Sequence, residues 1–461
     1  MSKPFPKPIP FLRLLGPSFI ILALGLGSGE VILWPYLASN YGLGIFWGAV
    51  LGITCQFFIN MEIERYALIK GESVFVGLNK VFRWSPYWFI FSTFIGFGLP
   101  GIIAAAAQPF AALFGITNFK WIAAVFLIII GLILSIGKTV YNTMEHVTKI
   151  IILVGVPFIL ILAVVLSEPS GWVELAKGII GRGNNFSWFP TGISFAAFFA
   201  AFAYSGAGGN LNLTQSIYVK EKGYGMGQYA QKIAGLFTNV KEKQSVKLTG
   251  ETFALTAENI TQFNRWWQRI NLEHFLVFWL IGSIAMGLLM LLAYSTTYGL
   301  PDNATGIHFV INEGRMIAEK ITPLIGSLFL LVVSIMLFQT QLGVLDSTSR
   351  IMAENLALKK LGDDETGKIN LSKIYFIFLW AQIAFGIILF LLNIYEPKSL
   401  IVLGAVLNAI AMTVHIALVN ITNWKLLPKK LQPHLTRRIV LAAIFCIFAG
   451  FSLFTIGEKF F

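Results

Sequence analysis

The chain has 461 residues, 56% of them hydrophobic and only 12% charged, with a mean hydropathy of +0.74. Soluble domains carry about 25% charged residues, so this composition excludes an ordinary soluble enzyme or binding module and describes a polytopic membrane protein. The net charge of +12 does not call for nucleic acid: the basic residues lie in short loops between apolar runs, where they face the anionic headgroups of membrane lipids.

Eleven apolar runs follow one another, each near the ~20 residues that cross ~30 Å of hydrocarbon as a helix. They fall near 15–38, 43–66, 86–114, 119–137, 146–167, 190–218, 272–297, 322–345, 371–393, 398–421 and 437–456. The segment Met1 to Pro10 is polar, and no small-residue cleavage pattern follows the first run, so that run is read as a helix and not a signal peptide. Most of the 34 Lys and Arg lie on the same side as the N-terminus. The positive-inside rule then predicts a multi-pass protein of the cell membrane with its N-terminus in the cytoplasm and its C-terminus outside. The longest loop, about 220–269, is too short and mixed for a catalytic domain. Its Trp266-Trp267 pair fits an interfacial aromatic anchor. Cys55 and Cys446 each sit in an apolar run and read as packing residues, with no disulfide or metal framework.

The first run is interrupted by Leu24-Gly25-Leu26-Gly27-Ser28-Gly29-Glu30. Each glycine weakens a helix by about 1 kcal/mol relative to alanine, and a carboxylate at membrane depth costs at least ~2.5 kcal/mol. Broken backbone is tolerated there only where protein buries it or a cavity lies beside it. The sixth run carries a second cluster, Phe202-Ala203-Tyr204-Ser205-Gly206-Ala207-Gly208-Gly209-Asn210-Leu211-Asn212. Broken helices five spans apart mark two inverted five-helix repeats whose breaks meet around a substrate near the midplane. The expected fold is an all-α membrane protein of eleven transmembrane helices with helices one and six broken. Repeat one (about 12–167) and repeat two (about 190–421) form a single transporter domain over 1–421, and 437–456 is an additional helix eleven.

Within this frame Glu30 binds a cation, carries a coupling proton, or caps the second half-helix, whose dipole favours an acid. Gly27, Ser28, Tyr204, Ala207, Gly209 and Asn210 join it as candidate substrate-binding residues, with Glu30 and Asn210 the candidate metal ligands. Gln339 and Asp346 lie seven apart on one helical face and are candidates for the inner pathway; the alternative for Asp346 is an ion pair with Arg350, four residues on. Asn408 is either a pathway residue or an interhelical hydrogen-bonding group. His415 reads as a packing histidine. Glu62, Glu64 and Arg65, at the end of span two, read as a solvated charged face. His-Glu-x-x-His, a nucleophile elbow and a phosphate-cradling loop are all missing from the sequence, so neither an enzyme nor a cofactor is expected. The expected partners are a transported cation or small solute, and membrane lipids.

A family resemblance attaches to these residues. Gly16-Pro17-Ser18, an apolar stretch, then Gly27-Ser28-Gly29-Glu30 resembles span one of the Nramp metal transporters, with Gly-Pro-Gly and then Asp-Pro-Gly-Asn at the same spacing. Ala207-Gly208-Gly209-Asn210-Leu211 resembles that family's Met-Pro-His-Asn-Leu. Gln339 and Glu354 fall where span eight of the family carries Gln and Glu, and Tyr141 to Lys149, with Glu145 and Lys149, resembles its fourth linker. The resemblance implies the amino-acid/polyamine/organocation-type transporter fold over the first ten spans. It also implies a changed site. The family's Asp ligand is Gly27 here, its Asn ligand Glu30, its Met ligand Ala207 and its histidine Gly209, while 86–114 has no acidic residue for the family's proton route. Loss of the soft Met ligand argues against ordinary Mn²⁺ or Fe²⁺ transport. What remains is an all-oxygen set suited to a hydrated hard cation such as Mg²⁺. The small residues 27, 207 and 209 are expected to enlarge the cavity, which leaves room for the alternative, a small organic solute with Glu30 binding its amine or a coupling ion.

Overall fold

The computed structural model describes residues 2–11, 14, 17–25, 27–136, 140–232, 244–362, 364 and 366–460. Span one is Pro17–Gly25, then one wide turn Ser28–Leu33, then Trp34–Tyr41. Span two is the unbroken helix Phe46–Lys70, ended by Gly71 in the left-handed conformation. Span three is itself divided, Ser85–Gly98 and Gly101–Leu113, at Leu99-Pro100. Proline removes a backbone donor and blocks the preceding turn, so this interruption follows from the sequence, although the eleven-run reading treats the span as continuous. Spans four and five are Lys120–Ile136 and Val140–Leu166. Span five then bends by 115° into Pro169–Ile179.

Span six is Phe195–Ala203, a short tight helix Gly209–Leu213, and Thr214–Lys222. Span seven is far longer than its apolar run. It starts at Ala257, where the Thr256 hydroxyl caps the Asn259 N–H, and continues through a wide turn at Phe275–Leu280 to Thr297. Spans eight to eleven are Pro323–Leu361, Leu371–Leu391, Pro397–Leu426 and Leu435–Phe460. Among the described residues seven helices are individually long and apolar enough to cross a membrane, or eight when the bent pair counts as one. Spans one and six fall short of that length because each is two half-helices.

Span eight packs along both halves of span three and along span nine; span ten packs on the first half of span six and on span eleven; the second half of span one packs on span seven. Lipid-facing positions follow from exposure: Leu153, Val154, Ile161, Val164 and Val165 of span five are apolar and exposed, as are Val125, Ile128 and Leu132 of span four, and apolar surface of that extent needs an apolar neighbour. At one end of the bundle the N-terminal segment and two loops come together. Gln244–Lys247 pairs antiparallel with Thr366–Ile369, Gln244 opposite Ile369. The Trp266 indole donates to the Pro6 carbonyl at 2.9 Å and is buried. That corrects its expected role: Trp266 pins the N-terminal segment. Trp267 lies under the Arg65 guanidinium, 3.9 Å from its ring centroid.

Candidate functional site

The two breaks meet. The first half-helix of span one ends where the Gly27 N–H donates to the Gly25 carbonyl at 2.5 Å, and the chain restarts with Val31 N–H on the Gly27 carbonyl at 2.8 Å. In span six, Gly206 has φ +119°, a conformation open to glycine and strained for other residues. A Cβ on Gly29 would overlap the Tyr204 carbonyl, and one on Gly25 would stand 2.9 Å from the Gly206 backbone. The glycines of the first break are therefore what let the two backbones touch.

Glu30 bridges them. Fully buried, its Oε1 accepts the Gly206 N–H at 2.7 Å, while Oε2 has no hydrogen-bond partner among the described residues. The carboxylate caps across to the other break, and the backbone N–H groups of Gly27 and Glu30 at the start of its own half-helix also favour its charged form. A half-satisfied carboxylate in a buried position is costly, and its open oxygen lies at the contact of two stretches of broken backbone. Such a seat can bind a cation through oxygen atoms. Among the described residues no three His, Cys, Asp or Glu side chains are grouped to hold a metal, so further ligands would be carbonyls and water.

The other expected site residues divide. Ser28 and Ala207 are buried at the breaks. Tyr204 is buried and stacked on Phe97, ring centroids 6.4 Å apart. Its hydroxyl accepts from Asn408 Nδ2 at 2.8 Å, and the same amide donates to the Gly96 carbonyl at 2.9 Å. Asn408 is thus an interhelical clamp on Tyr204. Asn210 turns to span three, where Nδ2 donates to Ser92 Oγ at 2.8 Å and Thr93 Oγ1 at 3.0 Å; Oδ1 faces His415 Nδ1 at 3.4 Å. Its amide is committed to these groups, which counts against the ligand role expected for it. Asp346 takes the ion-pair alternative, 3.0 Å from Arg350 Nε, and accepts the Tyr375 hydroxyl at 2.8 Å. Gln339 is buried as well, about two turns earlier on the same helix.

The expected enlargement of the cavity is not what the packing gives. The volume beside Gly27 is filled by the Thr340 side chain and that beside Gly209 by Asn408. A small cavity of about 10 Å³ lies beyond Tyr204, lined by Gly96, Phe97, Leu400, Ile401 and Gly404, space for about one water.

Sequence reasoning missed Gln56. Buried in span two, it accepts the Gly208 N–H at 3.0 Å and donates to the Ala203 carbonyl at 2.9 Å, holding both ends of the second break. Its signal was a lone amide in an apolar run. Trp34, whose indole donates to Ser205 Oγ at 2.9 Å, was hidden among the aromatics. Glu354 accepts from the Ser73 hydroxyl. Gly16 and the side chains of Glu145 and Lys149 lie outside the described residues.

The likeness to known proteins can now be placed on this geometry. No protein-family model and no curated protein matches the sequence. Solved structures do match. A manganese transporter of Eremococcus coleocola, as a histidine-to-alanine mutant, superposes with a TM-score of 0.72 at 12% identity, over 97% of this chain and 87% of that one. The fold is that of the manganese transporter. A glutamate-to-glutamine mutant of the same protein gives 0.71 at 11% identity over the same shares. The structure of MhsT in complex with L-phenylalanine gives 0.50 at 12% identity, covering 96% of this chain and 98% of that chain. The likeness is one of fold; the site residues are this chain's own.

Proposed function

We propose that this chain is an Nramp-like secondary transporter, eleven-spanned with two inverted five-helix repeats, which moves a cation by alternating access through a seat between broken helices one and six. The cargo is a divalent metal, taken without the Asp–Asn–Met set of the usual Mn and Fe site. One observation carries the reading: the Glu30 carboxylate lies at the contact of the two breaks, one oxygen on the Gly206 N–H and the other unpartnered among the described residues. Two half-helices deliver backbone groups to that point, as transporter sites do, and one negative charge with carbonyls and water suits a hydrated hard cation. Thr340 and Asn408, which fill the space beside Gly27 and Gly209, favour an ion over the bulkier organic solute.

In this reading the end bearing the N-terminal segment is cytoplasmic. Tyr204 with Asn408 closes the site on the outer side, and the Asp346–Arg350–Tyr375 group closes the inner side. Thermal unfolding of the purified protein against Mg²⁺, Mn²⁺ and small amines tests it, because a ligand that binds only the folded state raises Tm. The expected result is a rise with a divalent cation that is absent in Glu30→Gln. A rise with an amine and none with any metal transfers the site to the organic-solute alternative.

A further inference from the structure

Span two ends in three charged residues, Glu62, Glu64 and Arg65, which the sequence assigns to a solvated face. All three are buried. Glu62 is neutralised: Arg65 Nε lies 2.9 Å and Arg437 Nε 2.7 Å from its carboxylate, and Asn423 donates to it at 3.3 Å. Glu64 has no such cation at hydrogen-bond distance among the described residues. It accepts from the Gln215 amide, and its Oε2 has no partner among the described residues. On the facing end of the helix Ala257–His274, Glu273 and His274 are buried too, with Glu273 Oε1 and His274 Nε2 likewise unpartnered among the described residues.

Between them stands Ser18, in the first turn of the half-helix Pro17–Gly25. Its Oγ is 2.5 Å from Glu273 Oε2 and 2.9 Å from His274 Nδ1. His274 Nδ1 in turn is 3.8 Å from Glu64 Oε1. A serine has one hydrogen to donate and here faces two groups that both accept in their unprotonated forms. Two arrangements satisfy it. In the first, the imidazole carries its hydrogen on Nδ1 and donates to Ser18, which donates to an ionised Glu273. In the second, Glu273 is a neutral acid that donates to Ser18, which donates to a bare Nδ1 while Nε2 holds the ring hydrogen. The second holds one proton more than the first.

We propose that Glu273, Ser18 and His274 form a proton relay through the first half-helix, with Glu64 as its counter-charge. A proton added at His274 Nε2 releases the Nδ1 hydrogen to Ser18, whose own hydrogen passes to Glu273. One N–H and one O–H bond break; one N–H and two O–H bonds form, and the added proton accounts for the extra bond. Glu64 stabilises the imidazolium that forms in passing. The ring is fixed for this by stacking on Phe278, 4.7 Å away, and on Phe57, 5.5 Å away. The remaining charges facing the relay are Glu62 and Arg65 from span two and Arg437 from span eleven. Among the described residues the group does not converge as a metal site; the ligand proposed for it is the proton. This deepens the transporter reading and rests on it for its purpose: Ser18 sits on a half-helix that alternating access requires to move, so the proton state of the relay is tied to that movement.

Infrared spectroscopy of the full-length protein in lipid, titrated with pH in a Glu30→Gln background, reads the relay without any cargo. The relay gives a carboxylic-acid C=O band that fades on raising the pH. Glu273→Gln removes it, and Ser18→Ala moves it to higher frequency because the acid loses its acceptor. Should Glu273→Gln fold poorly, Ser18→Ala, a smaller change, carries the test alone. A titrating band identical in all variants, or none in the parent, overturns the relay. Either result is independent of the metal-dependent Tm rise, so the relay and the transporter reading fail separately.

Discussion

The two breaks are built oppositely. The first brings charge and bare backbone: glycines at 25 and 29 leave no side chain of their own against span six, Gly27 makes room for Thr340, and Glu30 supplies the acid. The second brings backbone donors and is held open by side chains from elsewhere, Gln56 of span two on both of its ends, Trp34 on Ser205, Asn408 on Tyr204, and Ser92 and Thr93 on Asn210. A break made by glycine alone has no shape of its own. Here the first break takes its shape from lying on the second, and the second takes its shape from polar residues distributed over the bundle. Close approach therefore lives in the first break and geometry in the second.

Substitutions that attack these two properties separate them. The largest effect is expected from Gly29→Ala, whose methyl group would occupy the Tyr204 carbonyl; overpacking of this kind costs on the order of 3 kcal/mol or more, and the expected outcome is loss of the folded monodisperse protein on size exclusion. A normally folded Gly29→Ala would break the close-approach account. Next comes Gln56→Leu. It strands the Gly208 N–H and the Ala203 carbonyl, at ~1–3 kcal/mol for each buried group left unpaired, so Tm falls and cation binding weakens together, without any change at Glu30. A smaller loss, about 1–2 kcal/mol, is expected for Asn408→Leu, which frees Tyr204 and the Gly96 carbonyl; its signature is faster cargo leakage in liposomes, because the Tyr204 side of the seat loosens. The smallest is Trp34→Phe, one hydrogen bond and about 1 kcal/mol, seen as a modest drop in Tm with transport kept. Grafting the ordinary metal ligands is also sharpened. Glu30→Asn with Ala207→Met changes ligands in place, whereas Gly27→Asp must first displace Thr340, so the triple variant is expected to regain Mn²⁺ binding in calorimetry only when Thr340 is shortened to serine or alanine as well.

Much of this was legible in the chain. Clustered glycine beside a lone acid in an apolar run can be accommodated in few ways, so both breaks and their meeting followed from residue types. The division of span three is legible too, in Gly98-Leu99-Pro100-Gly101, although hydropathy runs straight through it. What fills space is harder to read. Nothing local tells that Thr340, from a helix far along the chain, occupies the volume beside Gly27, or that Asn210 prefers Ser92 and Thr93 to the site. Charge at a helix end is ambiguous for the same reason: Glu62, Glu64 and Arg65 look solvated until span eleven delivers Arg437 and the long helix of span seven delivers His274 and Glu273. Those partners are fixed by tertiary packing alone.

The central claim is that cargo binds at the Glu30 carboxylate where the breaks touch. Uptake of divalent cations into proteoliposomes by the native protein, Glu30→Asp and Glu30→Gln tests it directly. The account predicts uptake in the native protein, a reduced rate in Glu30→Asp, whose shorter acid reaches Gly206 less well, and none in a folded Glu30→Gln. Native uptake rates in Glu30→Gln would contradict it.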